Sequence, residues 1–142
     1  MTREWVHPVQ IYYEDTDHSG VVYHANYLRY FERAREHMLG VKEMVRLLEE
    51  DGLGFVVYRA NLHFKAGARF GDTIQIRTTV EASSAYRLTF QQRAQRGDPA
   101  ETLVEAEIDL AMVDKSQRLV KIAPSVLVQL RGSAPTVGDP TL

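Results

Sequence analysis

Residues Tyr12 to Leu39 read YYEDTDHSGVVYHANYLRYFERAREHML, and in this stretch the hydrophobic period changes from that of a strand to that of a helix. Val9, Ile11 and Tyr13 alternate with Gln10 and Tyr12, as expected of a strand with one buried face. Glu14, Asp15, Thr16, Asp17, His18, Ser19 and Gly20 are turn-formers, and Gly20 is free to take a positive φ that other residues resist. After the apolar link Val21-Val22-Tyr23, the residues Tyr27, Tyr30, Phe31, Ala34 and Met38 recur at i, i+3, i+4, i+7 and i+11, one face of an α-helix. Asn26 is a favourable N-cap and Gly40 suits the far end, while Arg29, Arg33 and Arg35 are expected on the solvent side with Glu32 and Glu36. A helix of about 13 to 16 residues, roughly 20 to 24 Å, is long enough to be the core element of a small domain. A carboxylate-rich turn placed just ahead of such a helix can aim a charged side chain at its terminal N–H groups.

Downstream, Val41, Met44, Val45 and Leu48 repeat at helical spacing until Asp51-Gly52 closes the element. Strand patterns follow over Phe55–Phe64, Asp72–Ala82, Tyr86–Gln95 and Thr102–Val113, with a shorter one near Arg118–Ile122. Ile74, Ile76, Thr78 and Val80 oppose Gln75, Arg77, Thr79 and Glu81; Val104, Ala106, Ile108, Leu110 and Met112 oppose Glu105, Glu107 and Asp109. Such one-sided strands, joined by turns at Ser83-Ser84 and Arg96-Gly97-Asp98-Pro99, predict an antiparallel sheet with one covered face. The helix from Tyr27 to Leu39 is its natural cover, which makes an α+β layer. One domain over residues 1–131 is expected, followed by a flexible tail over 132–142 with two prolines and two glycines.

Composition narrows the function classes. A length of 142 residues with 44% apolar and 25% charged side chains is ordinary globular make-up, and a formal charge of −2 offers no electrostatic case for nucleic acid. The five histidines, His7, His18, His24, His37 and His63, lack metal-ligand spacing, and there is no cysteine, so neither a metal nor a redox centre is expected. Ser19 lacks the GxSxG elbow, Ser83-Ser84 sits between two strand patterns, and the nine glycines form no Walker or dinucleotide motif, so no cofactor is expected. Thr2-Arg3-Glu4-Trp5 leads into a strand and not an apolar leader, and nothing approaches the ~20 apolar residues of a membrane span. Cytoplasmic residence is the default expectation, with no membrane insertion.

Tyr13, Asp15-Thr16-Asp17, Gly20, Val22-Tyr23-His24-Ala25-Asn26-Tyr27 and Phe31-Glu32-Arg33-Ala34-Arg35 together resemble the hotdog-fold acyl-CoA thioesterases of the 4-hydroxybenzoyl-CoA thioesterase family, in the branch associated with the bacterial Tol-Pal system. The likeness continues more weakly through Phe55-Val56-Val57, Lys65-Ala66-Gly67-Ala68-Arg69 and Gly71-Asp72. It departs at Gly67, where this branch usually carries proline; the change is expected to loosen that turn and touch no catalytic position. The resemblance implies a hotdog fold, an antiparallel sheet wrapped around a long central helix.

Thioester hydrolysis needs a nucleophile or a base for water, donors for the developing oxyanion, and a place for the coenzyme. Aspartate is ordinarily ionised at neutral pH, so Asp17 can serve without an adjacent base. Main-chain N–H groups near His24, at the helix start, can supply the oxyanion donors. Losing one such donor elsewhere has cost about 2.7 to 4 kcal/mol, against about 0.3 to 1 for an exposed helix dipole, so aimed amides should matter more than the diffuse field. The resemblance implies the same roles: Asp17 as nucleophile or general base, and the His24 backbone N–H as oxyanion donor. On spacing alone Asp15 and Asp17 read as turn residues capping local N–H groups; the resemblance makes Asp15 the structural one.

Glu32 is a second choice for the catalytic carboxylate, able equally to pair with Arg29 or Arg35 one turn away. His18 reads as a loop histidine, and the His24 side chain either meets the substrate carbonyl or packs. Arg59, Lys65 and Arg69 are candidates for the phosphates of coenzyme A. A sheet covered on one face leaves an edge, and the resemblance implies subunits joined edge to edge as a homodimer or homotetramer with the site at their interface. The enzymatic reading is hydrolysis of a small to medium acyl-CoA. The alternatives are a non-catalytic hotdog scaffold for acyl carrier protein or envelope-biogenesis partners, and a hotdog enoyl-CoA hydratase using an Asp17/His24 pair.

Overall fold

Alternating side chains and one long apolar stripe produce the two layers of this protein. The computed structural model describes residues 3–131, so the tail expected over 132–142 lies outside the described residues. In chain order the elements are β1 (Trp5–Gln10), a 3₁₀ turn (Tyr13–Asp15), α1 (Asn26–Leu39), α2 (Val41–Arg46) running into a wider π-type turn (Leu47–Asp51), β2 (Gly54–Phe64), β3 (Thr73–Ser84), β4 (Arg87–Arg96), β5 (Glu101–Val113), β6 (Leu119–Val120) and α3 (Pro124–Arg131). The sheet is antiparallel in the order β1-β3-β4-β5-β2, and β6 pairs with the end of β5. This is the expected α+β hotdog arrangement.

The stripe on α1 packs as its spacing predicts. Tyr27, Tyr30, Phe31, Ala34 and Met38 are buried against Ile74, Ile76, Phe90, Ile108 and Met112 of the sheet's inner face. Burying each large apolar side chain is worth roughly 1.5–3 kcal/mol, so this interface is the main source of cohesion. Gly40 ends α1 with φ +89°, and its N–H bonds the Glu36 carbonyl at 2.8 Å.

Four expectations are corrected. β1 ends at Gln10, so Tyr13 is not a strand residue: the Asp15 N–H bonds the Tyr12 carbonyl at 3.0 Å, the Tyr12 N–H bonds Asp15 Oδ2 at 2.7 Å, and the chain closes into the 3₁₀ turn. Arg35 is 5% exposed and not on the solvent side. It lies one turn after Phe31 on the same stripe, donates from Nη1 to Gln92 Oε1 at 3.0 Å, and sets its guanidinium carbon 5.8 Å from the Phe90 ring centroid. Gln92 passes the contact on to the Phe31 carbonyl and Thr78 Oγ1, so this polar network is tied into both layers. Burial pulls the Arg35 pKa down against the nearby Glu32 and Glu36, which raise it. In the second helical segment Val41, Val45 and Leu48 are exposed, and the face turned to the core is instead the one carrying Met44 and Leu47, three residues apart. Asp109, expected on the polar face, is buried there as an acceptor for Thr89 Oγ1 at 2.7 Å.

Candidate active site

Asp15, Thr16 and Asp17 run antiparallel to Val21, Val22 and Tyr23. Thr16 bridges Val22, the Asp17 N–H donates to the Val21 carbonyl at 2.8 Å, and the Tyr23 N–H donates to the Asp15 carbonyl at 2.9 Å. The turn between them closes through Gly20, whose N–H reaches the Asp17 carbonyl at 2.9 Å with φ at +83°. Only glycine takes that region without strain. The Asp17 carboxylate is solvent-exposed, and its Oδ1 accepts the Ser19 N–H at 2.8 Å, so one oxygen is fixed by the turn. Among the described residues no partner engages Oδ2.

A second wall comes from residues 66–69. The Val22 N–H donates to the Ala68 carbonyl at 2.9 Å and Val21 bridges Arg69. Gly67 packs so closely that a Cβ there would stand 2.9 Å from Val21 Cβ and Cγ1. Gly67 therefore meets the strand whose Val21 carbonyl bonds Asp17, without touching Asp17 itself. Asp72 fastens this wall from below: its Oδ2 accepts the Arg69 N–H and Arg96 Nη1, both at 2.8 Å. Burial alone would raise the Asp72 carboxyl; the Arg69 amide and Arg96 outweigh it and hold the group below the usual carboxylate range.

α1 begins between the walls. Its N-cap is Ala25 and not Asn26, and no side chain caps it. Asn26 instead donates from Nδ2 to the Asp15 carbonyl at 2.9 Å, and the Tyr27 hydroxyl accepts the Ala68 N–H at 3.1 Å. Burial is the main cause raising the Tyr27 phenol. Tyr30 follows, buried under the turn, with its phenol raised by burial and by the neighbouring Asp15 carboxylate. Among the described residues the N–H groups of His24 and Ala25 donate to no protein acceptor, whereas those of Asn26 and Tyr27 already bond the Tyr23 and His24 carbonyls. At the opening of α1 the free amides are therefore those of His24 and Ala25.

The other candidates separate. The His24 ring lies 4.6 Å from that of Tyr23 and 5.9 Å, edge-on, from that of Phe64, and the residue is exposed. Glu32 sits six residues beyond Asn26, about 9 Å along the helix at 1.5 Å per residue. It makes no ion pair with Arg29 or Arg35 among the described residues, and it borders a cavity of about 110 Å³ shared with Arg35, Glu36, Met44, Phe55 and Val57. Arg59 is engaged by Asp109 at 3.5 Å and Lys65 by Glu105 at 2.7 Å, on the sheet face turned away from α1. The Arg69 side chain carries no ion pair among the described residues and stands beside the Asp17 turn, with Nη1 3.9 Å from the place a Gly20 Cβ would occupy. The tethers made by Asn26 and Tyr27 escaped sequence reasoning, since an asparagine at a helix start reads as a cap and a tyrosine on the apolar stripe as core.

Comparison with known proteins gives the family and the fold. The chain matches the Thioesterase-like superfamily over residues 12–130. It is 39% identical over 109 residues to the acyl-CoA thioesterase YbgC of Haemophilus influenzae, covering 75% of this chain and 79% of that protein. It is 35% identical over 122 residues to the acyl-CoA thioester hydrolase YbgC of Escherichia coli, covering 85% and 90%. Among solved structures, the 1,4-dihydroxy-2-naphthoyl-CoA thioesterase of Synechocystis shares the fold with a TM-score of 0.83 at 20% identity, over 91% of this chain and 96% of that one. The likeness first read between Tyr13 and Arg35 extends through both layers, and the chain belongs to the thioesterase-like superfamily.

Proposed function

We propose that this protein is an acyl-CoA thioesterase acting on small to medium acyl groups, with Asp17 as nucleophile or general base and the His24 N–H as oxyanion donor. The observation that carries the reading is the pairing of an exposed carboxylate, fixed at one oxygen, with free main-chain amides at the opening of α1. Amides already aimed at developing charge need no reorganisation as the reaction proceeds. As a base, Asp17 takes a proton from water; the water oxygen bonds the carbonyl carbon, the C–S bond breaks, and the thiolate receives the proton. As a nucleophile, an Asp17 oxygen bonds the carbonyl carbon and the C–S bond breaks, releasing the thiolate and leaving a mixed anhydride. Water then cleaves the anhydride, returning the Asp17 carboxylate and the free acid, and one of the water's protons ends on the thiolate while the other goes to solvent. Both routes end in free carboxylate and free coenzyme A thiol.

Arg69 is the strongest of the three cationic candidates for the coenzyme phosphates, since Arg59 and Lys65 already face carboxylates across the sheet. The oligomer in this reading is a cytoplasmic homodimer or homotetramer joined along β2. Among the described residues that strand pairs only with β5, and Val57, Tyr58 and Phe64 along it are about half exposed. No described helix is long and apolar enough to cross a membrane.

The test is thiol release from acyl-CoAs of graded length by the wild-type protein and by Asp17→Ala. Turnover on at least one acyl group, falling at least about 10³-fold in the variant, supports the proposal. No release on any chain would favour a scaffold role, and full turnover by the variant would remove Asp17 from the chemistry.

A further inference from the structure

We propose that the Asn26 side chain is a positioning residue of this site, a tether that sets the offset between the Asp17 carboxylate and the free amides of α1. The inference rests on the catalytic reading of Asp17 and adds a residue to it. A capping asparagine turns its side-chain oxygen onto the amides of its own helix. Here the side chain faces the other way: Nδ2 donates to the Asp15 carbonyl at 2.9 Å, eleven positions upstream, while the Asn26 main-chain N–H holds the Tyr23 carbonyl at 2.8 Å. One residue thus grips both strands of the hairpin from the first position of the helix.

The geometry has two consequences. The Asp15 carbonyl accepts both Asn26 Nδ2 and the Tyr23 N–H, so it is fixed against α1 and against the returning strand together. Two residues on, Asp17 inherits that placement, being bonded to the same returning strand at the Val21 carbonyl. The His24 and Ala25 amides, which precede the helix, have no protein acceptor among the described residues and lie next to this tether in the chain. The tether requires a donor of asparagine's reach. An ionised aspartate is acceptor-only and would set a carboxylate against a carbonyl oxygen, and alanine leaves that carbonyl with the Tyr23 amide alone. Tyr27 serves the opposite wall through Ala68, so consecutive residues at the start of α1 hold the two sides of the site.

A displacement of about 1 Å in a reacting group can lower turnover about 10²-fold, and that sets the expected effect. Asn26→Ala and the near-isosteric Asn26→Asp are to be made in the wild-type protein and in the Asp17→Asn background, with kcat, KM and melting temperature measured for each. Each variant should lower kcat by about 10²-fold with KM within about threefold, and should cost nothing further once Asp17 is replaced. Wild-type kcat in Asn26→Asp, an equal fractional loss in both backgrounds, or a loss expressed in KM would overturn the tether. So would failure of both Asn26 variants to fold, which would mark a structural residue. Full turnover by Asp17→Asn alone sinks the catalytic reading and the tether together, whereas unchanged Asn26 variants beside an inactive Asp17→Asn sink only the tether.

Discussion

The hairpin from Tyr12 to Tyr27 and the interior between α1 and the sheet are held together by different forces. In the interior, Phe31, Ile74, Phe90, Ile108 and Met112 are fully shielded, and cohesion scales with apolar area. In the hairpin, Asp17, His18, Ser19, Gly20, Tyr23 and His24 are all exposed. Their positions come from directional bonds: Asp17 to Val21, Gly20 to Asp17, Tyr23 and Asn26 to Asp15, and Val22 to Ala68. A net hydrogen bond contributes about 0.5–1.5 kcal/mol, against roughly 1.5–3 for a buried large side chain. The hairpin therefore gives less stability per residue and more definition of direction. A carboxylate and an amide meeting a thioester need that definition, within about 0.5 Å.

If this division is right, perturbations in the two regions should read out in different observables. The largest effects should cross. Asp17→Asn is expected to cost at least about 10³-fold in kcat and leave the melting temperature nearly unchanged, as seen in thiol-release assays and thermal melts of one preparation. Phe31→Ala is expected to cost about 3–5 kcal/mol of stability by urea titration, while the fraction still folded keeps its turnover. Equal damage to both observables in either variant would break the comparison.

Gly67→Ala sits at the junction and sharpens it. The new methyl group would press on Val21, so a cost of about 1–3 kcal/mol is expected together with a fall in kcat, because the shifted strand carries the Asp17 bond. The smallest effect belongs to β1. His7 is half-buried with its ring 4.5 Å from that of His37, and burial first, then His37 and Arg33, hold its pKa below the ordinary 6.5. The unfolded chain therefore binds a proton near pH 6.5 that the folded one resists. Stability from this group is complete above that pH and declines as pH falls below it. Melting temperatures between pH 7.5 and 5 should show the decline, and His7→Gln should lessen it.

Much of the fold was legible in the chain because it rests on periodicity. The α1 stripe and the alternation in β3 and β5 each place apolar residues on one face, and burial follows. What periodicity missed turned on specific partners. Arg35 looks like a surface charge until Gln92 and Phe90 are brought beneath it. Val41, Val45 and Leu48 have helical spacing, yet the segment packs through Met44 and Leu47, the neighbouring face of the same helix. α3 went unread because Ser125-Val126-Leu127-Val128 has strand-like composition, although Pro124 occupies the first helical position and Gln129 Nε2 reaches the Met38 carbonyl at 3.4 Å. In the site, Asp17 and the region of His24 were singled out by the family resemblance and not by spacing, while the tethers of Asn26 and Tyr27 depend on residues 11 and 41 positions away.

The central claim is that an amide of the hairpin, and not a side chain, stabilises the oxyanion. Replacing residue 24 by its α-hydroxy acid changes one N–H to an ester oxygen and leaves the imidazole in place. Single-turnover hydrolysis by that protein should slow by about 10²–10³-fold with its melting temperature nearly unchanged; wild-type rates with the ester in place would contradict the account.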